Sequence, residues 1–139
     1  MARRIGFILL GIVLGCCTAC SEEPQTYPRR YVQPDVLNNP SAQTAGKALF
    51  QKHCVICHGK LDEGATPVAS NLIPPAPDFW ETRYATIDPG YLFWRISTGK
   101  NAEPFRSRGS VMPAFGSTFN DQEIWDLVAY IRTRAGRGD

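Results

Sequence analysis

The pentapeptide Cys54-Val55-Ile56-Cys57-His58 concentrates reactive side chains more densely than any other stretch of this 139-residue chain. Two thiols three residues apart on one helical turn can meet the two vinyl groups along one edge of a haem, and the adjoining imidazole then faces the iron. C-x-x-C-H is accordingly the spacing of covalent c-type haem attachment. Thioether bonds hold the cofactor without a deep pocket, which suits a domain of only about ninety residues with little core to spare. A thioredoxin-like redox pair requires a βαβ context that the flanking sequence lacks. A zinc site needs four ligands, and His53, Cys54, Cys57 and His58 crowd one turn too closely to surround an ion, with no second pair elsewhere. A disulfide across so short a loop would be strained and would leave His58 without a role. The expected cofactor is therefore one covalently attached haem c, with His58 on its iron.

Iron in such a haem commonly takes a second axial ligand from the other side of the ring. The chain has two methionines, and Met1 belongs to the leader, so Met112 is the thioether expected on the far face. It stands in Ser110-Val111-Met112-Pro113-Ala114-Phe115-Gly116, where Pro113 stiffens the approach. A methionine used as core filler normally sits on a helical stripe instead. His53 precedes Cys54 on the attachment turn, cannot reach the far face, and is expected at the surface. Haem carboxylates need donors, for which Tyr84, Trp94 and Arg95 come first, with Arg83 and Lys100 behind them. Exposed charge or core aromatic is an equally available role for each.

With His58 and Met112 both bound, no coordination site stays open for oxygen or peroxide chemistry, and the soft thioether favours reduced iron. One-electron transfer, not enzymatic turnover, is the expected role, and no catalytic residue is assigned. The alternative is a haem enzyme or gas sensor from which Met112 dissociates, although no acid and base pair suited to peroxide cleavage stands nearby in sequence.

Three main helices are expected to position these groups in an all-α domain. The first runs from about Ser41, as cap, to Cys54, with Ala45, Ala48, Leu49 and Phe50 at helical spacing. From Lys60 to Ile87 the prolines exclude a central strand or a long helix, leaving room for one short turn between Pro77 and Tyr84. Asp88 caps the second helix, Pro89 takes its first position and Gly99 closes it, with Leu92, Phe93 and Ile96 on its apolar face. The third starts at Asn120, which has capping-box spacing to Glu123. Ile124, Leu127, Val128 and Ile131 form its buried stripe, Arg132 and Arg134 suit its negative end, and Gly136 is a natural stop.

Ahead of the domain, Arg3 and Arg4 precede an uncharged run from Ile5 to Leu14 that is too short to span a bilayer and has the length of a secretory signal core. An uncleaved N-terminal anchor is the other reading of this run. Gly15-Cys16-Cys17-Thr18-Ala19-Cys20-Ser21 resembles the processing box of bacterial lipoproteins, with cleavage before Cys16 or before Cys20. Processing before Cys20 leaves no stray thiol in an oxidising compartment and is preferred. A lipid on that cysteine would tether the protein to a membrane without a spanning helix. The resulting organisation is a signal peptide over 1–19, a lipidated cysteine and flexible Pro-rich tether over 20–42, the haem domain over 43–135 and a short tail over 136–139. The tether would let the domain swing between donor and acceptor.

Lys and Arg number 15 against 13 Asp and Glu, and loss of Arg3 and Arg4 brings the balance to zero. Nucleic-acid binding, which needs several uncompensated cations, is not expected.

The motifs Gly46-x-x-x-Phe50, Cys54-x-x-Cys57-His58-Gly59, Met112-Pro113-x-Phe115 and Leu127-x-x-Tyr130 follow one another in that order. Over roughly Gln43 to Thr133 the chain thereby resembles the class I monohaem cytochromes c of bacteria. The resemblance implies a cytochrome c-like fold wrapped around the haem, with Gly46 and Phe50 packed against Leu127 and Tyr130. It also implies a backbone carbonyl, often a proline's, accepting from the ring N–H of the proximal histidine, for which Pro67, Pro74 and Pro75 are all candidates. The Asn71 to Phe79 stretch resembles cytochrome subunits of respiratory assemblies. Redox proteins, including a membrane respiratory complex, are the partners this suggests, on the periplasmic side of a bacterial membrane.

Overall fold

The computed structural model describes residues 26–60, 64, 66–101, 103 and 105–137, and the stretch expected to be a leader, with Cys16 and Cys20, lies outside them. Among the described residues seven helices run in order, α1 (Pro34–Asn38), α2 (Pro40–His53), α3 (Val55–His58), α4 (Pro67–Asn71), α5 (Arg83–Thr86), α6 (Pro89–Thr98) and α7 (Asp121–Arg134), and there is no strand. The three long ones, α2, α6 and α7, are the three expected from periodicity.

The crossing of α2 and α7 is the centre of the fold. Gly46 lets the two backbones touch, because a Cβ built there would lie 1.9 Å from the carbonyl oxygen of Asp126. One turn later Phe50 meets Tyr130 edge to face at 5.3 Å between ring centroids. Such a pair contributes about 0.5–1.5 kcal/mol beyond its buried area. The buried face of α2 is Ala42, Gly46 and Phe50, whereas Ala45 and Ala48, expected on it from spacing, are exposed. The close approach at Gly46 decides the matter by turning that side of α2 towards α7.

Helix starts follow the cap chemistry of the sequence. Asn120 Oδ1 accepts from the Glu123 backbone N–H at 3.0 Å, and Glu123 Oε2 accepts from the Asn120 N–H at 2.8 Å. The Asp88 side chain accepts from the Gly90 N–H, with Pro89 in the first turn of α6. At α2 the cap is Asn39, not Ser41: Asn39 Oδ1 accepts from the Ser41 N–H at 2.8 Å and Pro40 opens the helix. The stretch from Lys60 to Ile87, expected as loop with one short turn, holds both α4 and α5. Pro67 starts α4 instead of preventing it, since a first-turn residue has no N–H partner to lose, and the Thr66 hydroxyl caps the helix by accepting from Ala69 N–H.

The largest departure concerns the segment expected as a flexible tether. From Tyr27 onward it is packed on the domain. Tyr27 stacks on Trp94 at 5.8 Å and its hydroxyl donates to Asp88. The Arg30 guanidinium lies over the Phe93 ring, and Val36 on α1 is buried against Ala42 and Ala129. Composition alone hides this, because three aromatic or aliphatic contacts spaced along a polar, Pro-rich segment produce no helical period.

Candidate functional site

α2 ends at His53 because the chain turns into the attachment motif: Cys54 N–H still donates to Phe50 O at 2.8 Å, and His58 N–H donates to Cys54 O at 2.9 Å. The turn stops at Gly59, whose φ of 70° and ψ of 162° fall in a region open to glycine and strained for other residues. Cys54, Cys57 and His58 are thereby held on one turn at the end of the longest packed helix pair.

They open on an apolar cavity of about 230 Å³. Phe50, Ile96, Leu127 and Ile131 form its floor, and Met112 and Pro113 lie on its wall with His58. Both cysteine thiols are free. Burial, with the neighbouring Cys57 adding, pushes the Cys54 thiol up to about 12. The ring Nδ1 of His58 lies 2.7 Å from the carbonyl oxygen of Pro77. A carbonyl only accepts, so Nδ1 is the donor and Nε2 keeps the lone pair that a metal requires. Burial lowers the affinity of this imidazole for a proton, which keeps the lone pair free. Phe79 stacks on the imidazole at 4.7 Å and fixes its plane. The carbonyl is that of Pro77, which was not among the prolines considered from sequence. Its neighbour Phe79 was the available signal, since an aromatic two residues on can anchor the carbonyl beside the ring.

Met112 is half-buried and reaches the cavity from a loop pinned to the end of α6. The last carbonyls of a helix lack partners within it, and here the loop supplies them: Phe115 N–H donates to Ile96 O at 3.0 Å and Gly116 N–H to Ser97 O at 2.9 Å. In return Lys100 N–H donates to Met112 O at 3.1 Å. Gly99 permits this contact, with φ of 62° and space so tight that a Cβ would sit 2.5 Å from Pro113 O and 2.6 Å from Met112 O. Gly99→Ala is therefore expected to push the Met112 loop away from α6. In the haem-loaded protein this should weaken the sulfur-to-iron absorption band by more than half, and an unaltered band would show that the loop is positioned independently of Gly99.

The structure gathers Cys54, Cys57, His58 and Met112 around one cavity. Tyr84, Trp94 and Arg95 do not line it. Tyr84 stands behind Phe79 at 4.8 Å, Trp94 packs under Tyr27, and the Arg95 guanidinium stacks over Trp94 and Phe105, each at 4.3 Å, while donating to Gly99 O. Lys100, ranked behind these from sequence, is the charged residue on the cavity wall. Burial and the charges of Arg95 and Arg83 lower its proton affinity, a strain that a carboxylate placed beside it would relieve. His53, expected at the surface, is half-buried, lines the cavity and packs edge to face on Phe119 at 5.1 Å.

Two comparisons bear on this arrangement. The family model described as cytochrome c oxidase, cbb3-type, subunit III matches residues 41–131. The chain belongs to this cytochrome c family. A cytochrome c6 of Diacronema lutheri is 24% identical over 95 residues, which cover 66% of the chain and 94% of that protein. The all-helical architecture agrees with a cytochrome c-like fold, and members carry covalently attached haem c.

The residues present fit that group: two unpaired thiols, an imidazole with its Nε2 lone pair preserved, a thioether and apolar walls converge on one cavity. When bound, the haem supplies an iron that takes up and gives back one electron. Cys54 and Cys57 would anchor it covalently, while the Pro77 carbonyl strengthens His58 as a donor by polarising its ring N–H. Phe50, Ile96 and Leu127 exclude water from the interior side. The cytochrome is an electron-transfer protein and not an enzyme. Ile56 and Val111, 65% and 61% exposed, place apolar side chains on the cavity lining at the surface, where a bound cofactor would meet solvent.

Proposed function

We propose that this cytochrome is lipid-anchored on the periplasmic side of a bacterial membrane and carries single electrons between respiratory redox partners, alone or as a subunit of a respiratory complex. The observation that carries the reading is the order of features along the chain: a basic, apolar leader ends in small residues before Cys20, and a haem domain follows within a few tens of residues. The family description, naming an oxidase subunit, supports a respiratory partner. His58 and Met112 as the two axial ligands fit a carrier, because both positions on the iron are then filled and a thioether favours its reduced state.

Production of the full chain in a bacterium with a haem-maturation system, supplied with labelled palmitate, tests the anchor. Label and haem should appear together in the membrane fraction, and Cys20→Ser should release the haem protein into the soluble periplasm. A wild-type protein without label overturns the anchor, and label retained in Cys20→Ser but lost in Cys16→Ser moves it to the upstream cysteine.

A further inference from the structure

Arg134 stands at the end of α7, where its charge was expected to face the negative helix terminus. Instead its side chain turns inward and has no solvent exposure. Nη1 donates to Gly59 O at 2.8 Å, and Nη2 reaches His58 O at 3.4 Å and Lys60 O at 3.1 Å. The guanidinium lies over the Phe50 ring at 4.7 Å, and the far side of that neighbourhood is the proximal imidazole, 6.3 Å from Phe50 between centroids. Nε is buried with no hydrogen-bond partner, and among the described residues no carboxylate forms an ion pair with the group. Asp78, Tyr130, Cys54 and the His58 imidazole are the titratable groups around it.

Burying an unpaired guanidinium is costly. Tying three carbonyls together does not require it, since a neutral amide also donates to carbonyls. What only the arginine supplies is a permanent positive charge, shielded from solvent and salt, on the backbone of the residue that faces the iron. An oxidised iron site carries one positive charge more than the reduced site. A fixed cation in the low-dielectric interior disfavours the more positive state.

We propose that Arg134 is a positioning residue for the redox couple: held against the carbonyls of His58, Gly59 and Lys60, its charge shifts the one-electron equilibrium towards the reduced state. The couple is the uptake of one electron from a donor, with no bond made or broken and no proton taken up by Arg134. The inference rests on the electron-carrier reading and adds to it a residue that tunes the carrier's own potential.

Mediated redox titration of the haem-loaded protein, followed by visible absorption, tests it on Arg134→Gln, Arg134→Met and Arg134→Lys. At the ambient potential where wild type is half reduced, the Gln and Met variants should show a reduced-to-oxidised ratio about tenfold lower, a fall of about 59 mV for one electron. Arg134→Lys, which keeps the charge, should stay within about threefold of wild type. If the Met variant does not accumulate, the Gln and Lys pair decides alone. Gln and wild type at the same potential, or Lys falling as far as Gln, would overturn the proposal while leaving the carrier reading intact. A wild-type protein without a reversible one-electron couple would overturn the carrier reading and this role with it.

Discussion

Met112→Ala is expected to abolish the sulfur-to-iron absorption band of the oxidised, haem-loaded cytochrome completely and to lower its reduction potential. The chain's one other methionine is Met1, in the stretch expected to be a leader. The loop that carries Met112 is fixed by backbone hydrogen bonds from Phe115 to Ile96, from Gly116 to Ser97 and from Lys100 to Met112 itself. None of these involves the methionine side chain, so the variant should fold with its loop in place and lose only the donor. Loss of a soft, neutral ligand removes a preference for reduced iron. External imidazole should then bind, which the wild type resists. Visible spectra of both proteins with and without imidazole read the result directly. A band that survives the substitution would show that the sulfur reporting on the iron is not that of Met112.

Gly46→Val should have the largest effect on folding. A Cβ at this position would lie 1.9 Å from Asp126 O and 2.4 Å from its carbonyl carbon, distances at which backbone, not a flexible side-chain tip, must give way. Overpacking typically costs about 1–3 kcal/mol, and a backbone-to-backbone clash at the main helix crossing belongs at or above the upper end of that range. The two helices can separate only by pulling Phe50 off Tyr130 and Leu127 off the cavity floor, so haem retention should fail with stability. Urea unfolding followed by far-UV circular dichroism checks the cost, and a midpoint close to wild type would mean that α2 and α7 do not cross here in solution. Gly46→Ala should lie between the two, since the first added carbon already meets the carbonyl.

The attachment motif, Met112 and the α2 and α7 pairing were legible because each is local or carried by short motifs: a pentapeptide, one sulfur, two glycine and aromatic spacings. Helix starts at Asp88 and Asn120 were legible for the same reason, as capping is decided within four residues. The prolines were harder to read. Taken as breakers, Pro67 and Pro34 suggested loop and linker, yet both open short helices, a position where the missing N–H costs nothing. Which proline carbonyl meets His58 depends on how the Leu72 to Phe79 stretch is folded back by contacts with the imidazole, and no spacing rule encodes that. Tyr84, Trp94 and Arg95 have side chains suited to haem carboxylates but are committed to Phe79, Tyr27 and Phe105, contacts that no spacing rule marks. Along the sequence Arg134 has only the signature of a helix-end charge, because one face of a helix looks like another until its neighbour across the fold is known.

The packing of Tyr27 against Trp94 and Asp88 also sets a leash. With Cys20 as the lipid-bearing residue, only the residues between it and Tyr27 remain to pay out, and a fully extended chain of that length spans at most about 25 Å. That is close to the width of the domain itself, so the cytochrome would roll on the bilayer surface instead of ranging over it. Partners able to exchange electrons with it would be those whose own redox centres come within one protein diameter of the lipid headgroups, and the radius of that hemisphere would be set by an aromatic contact outside the cavity lining.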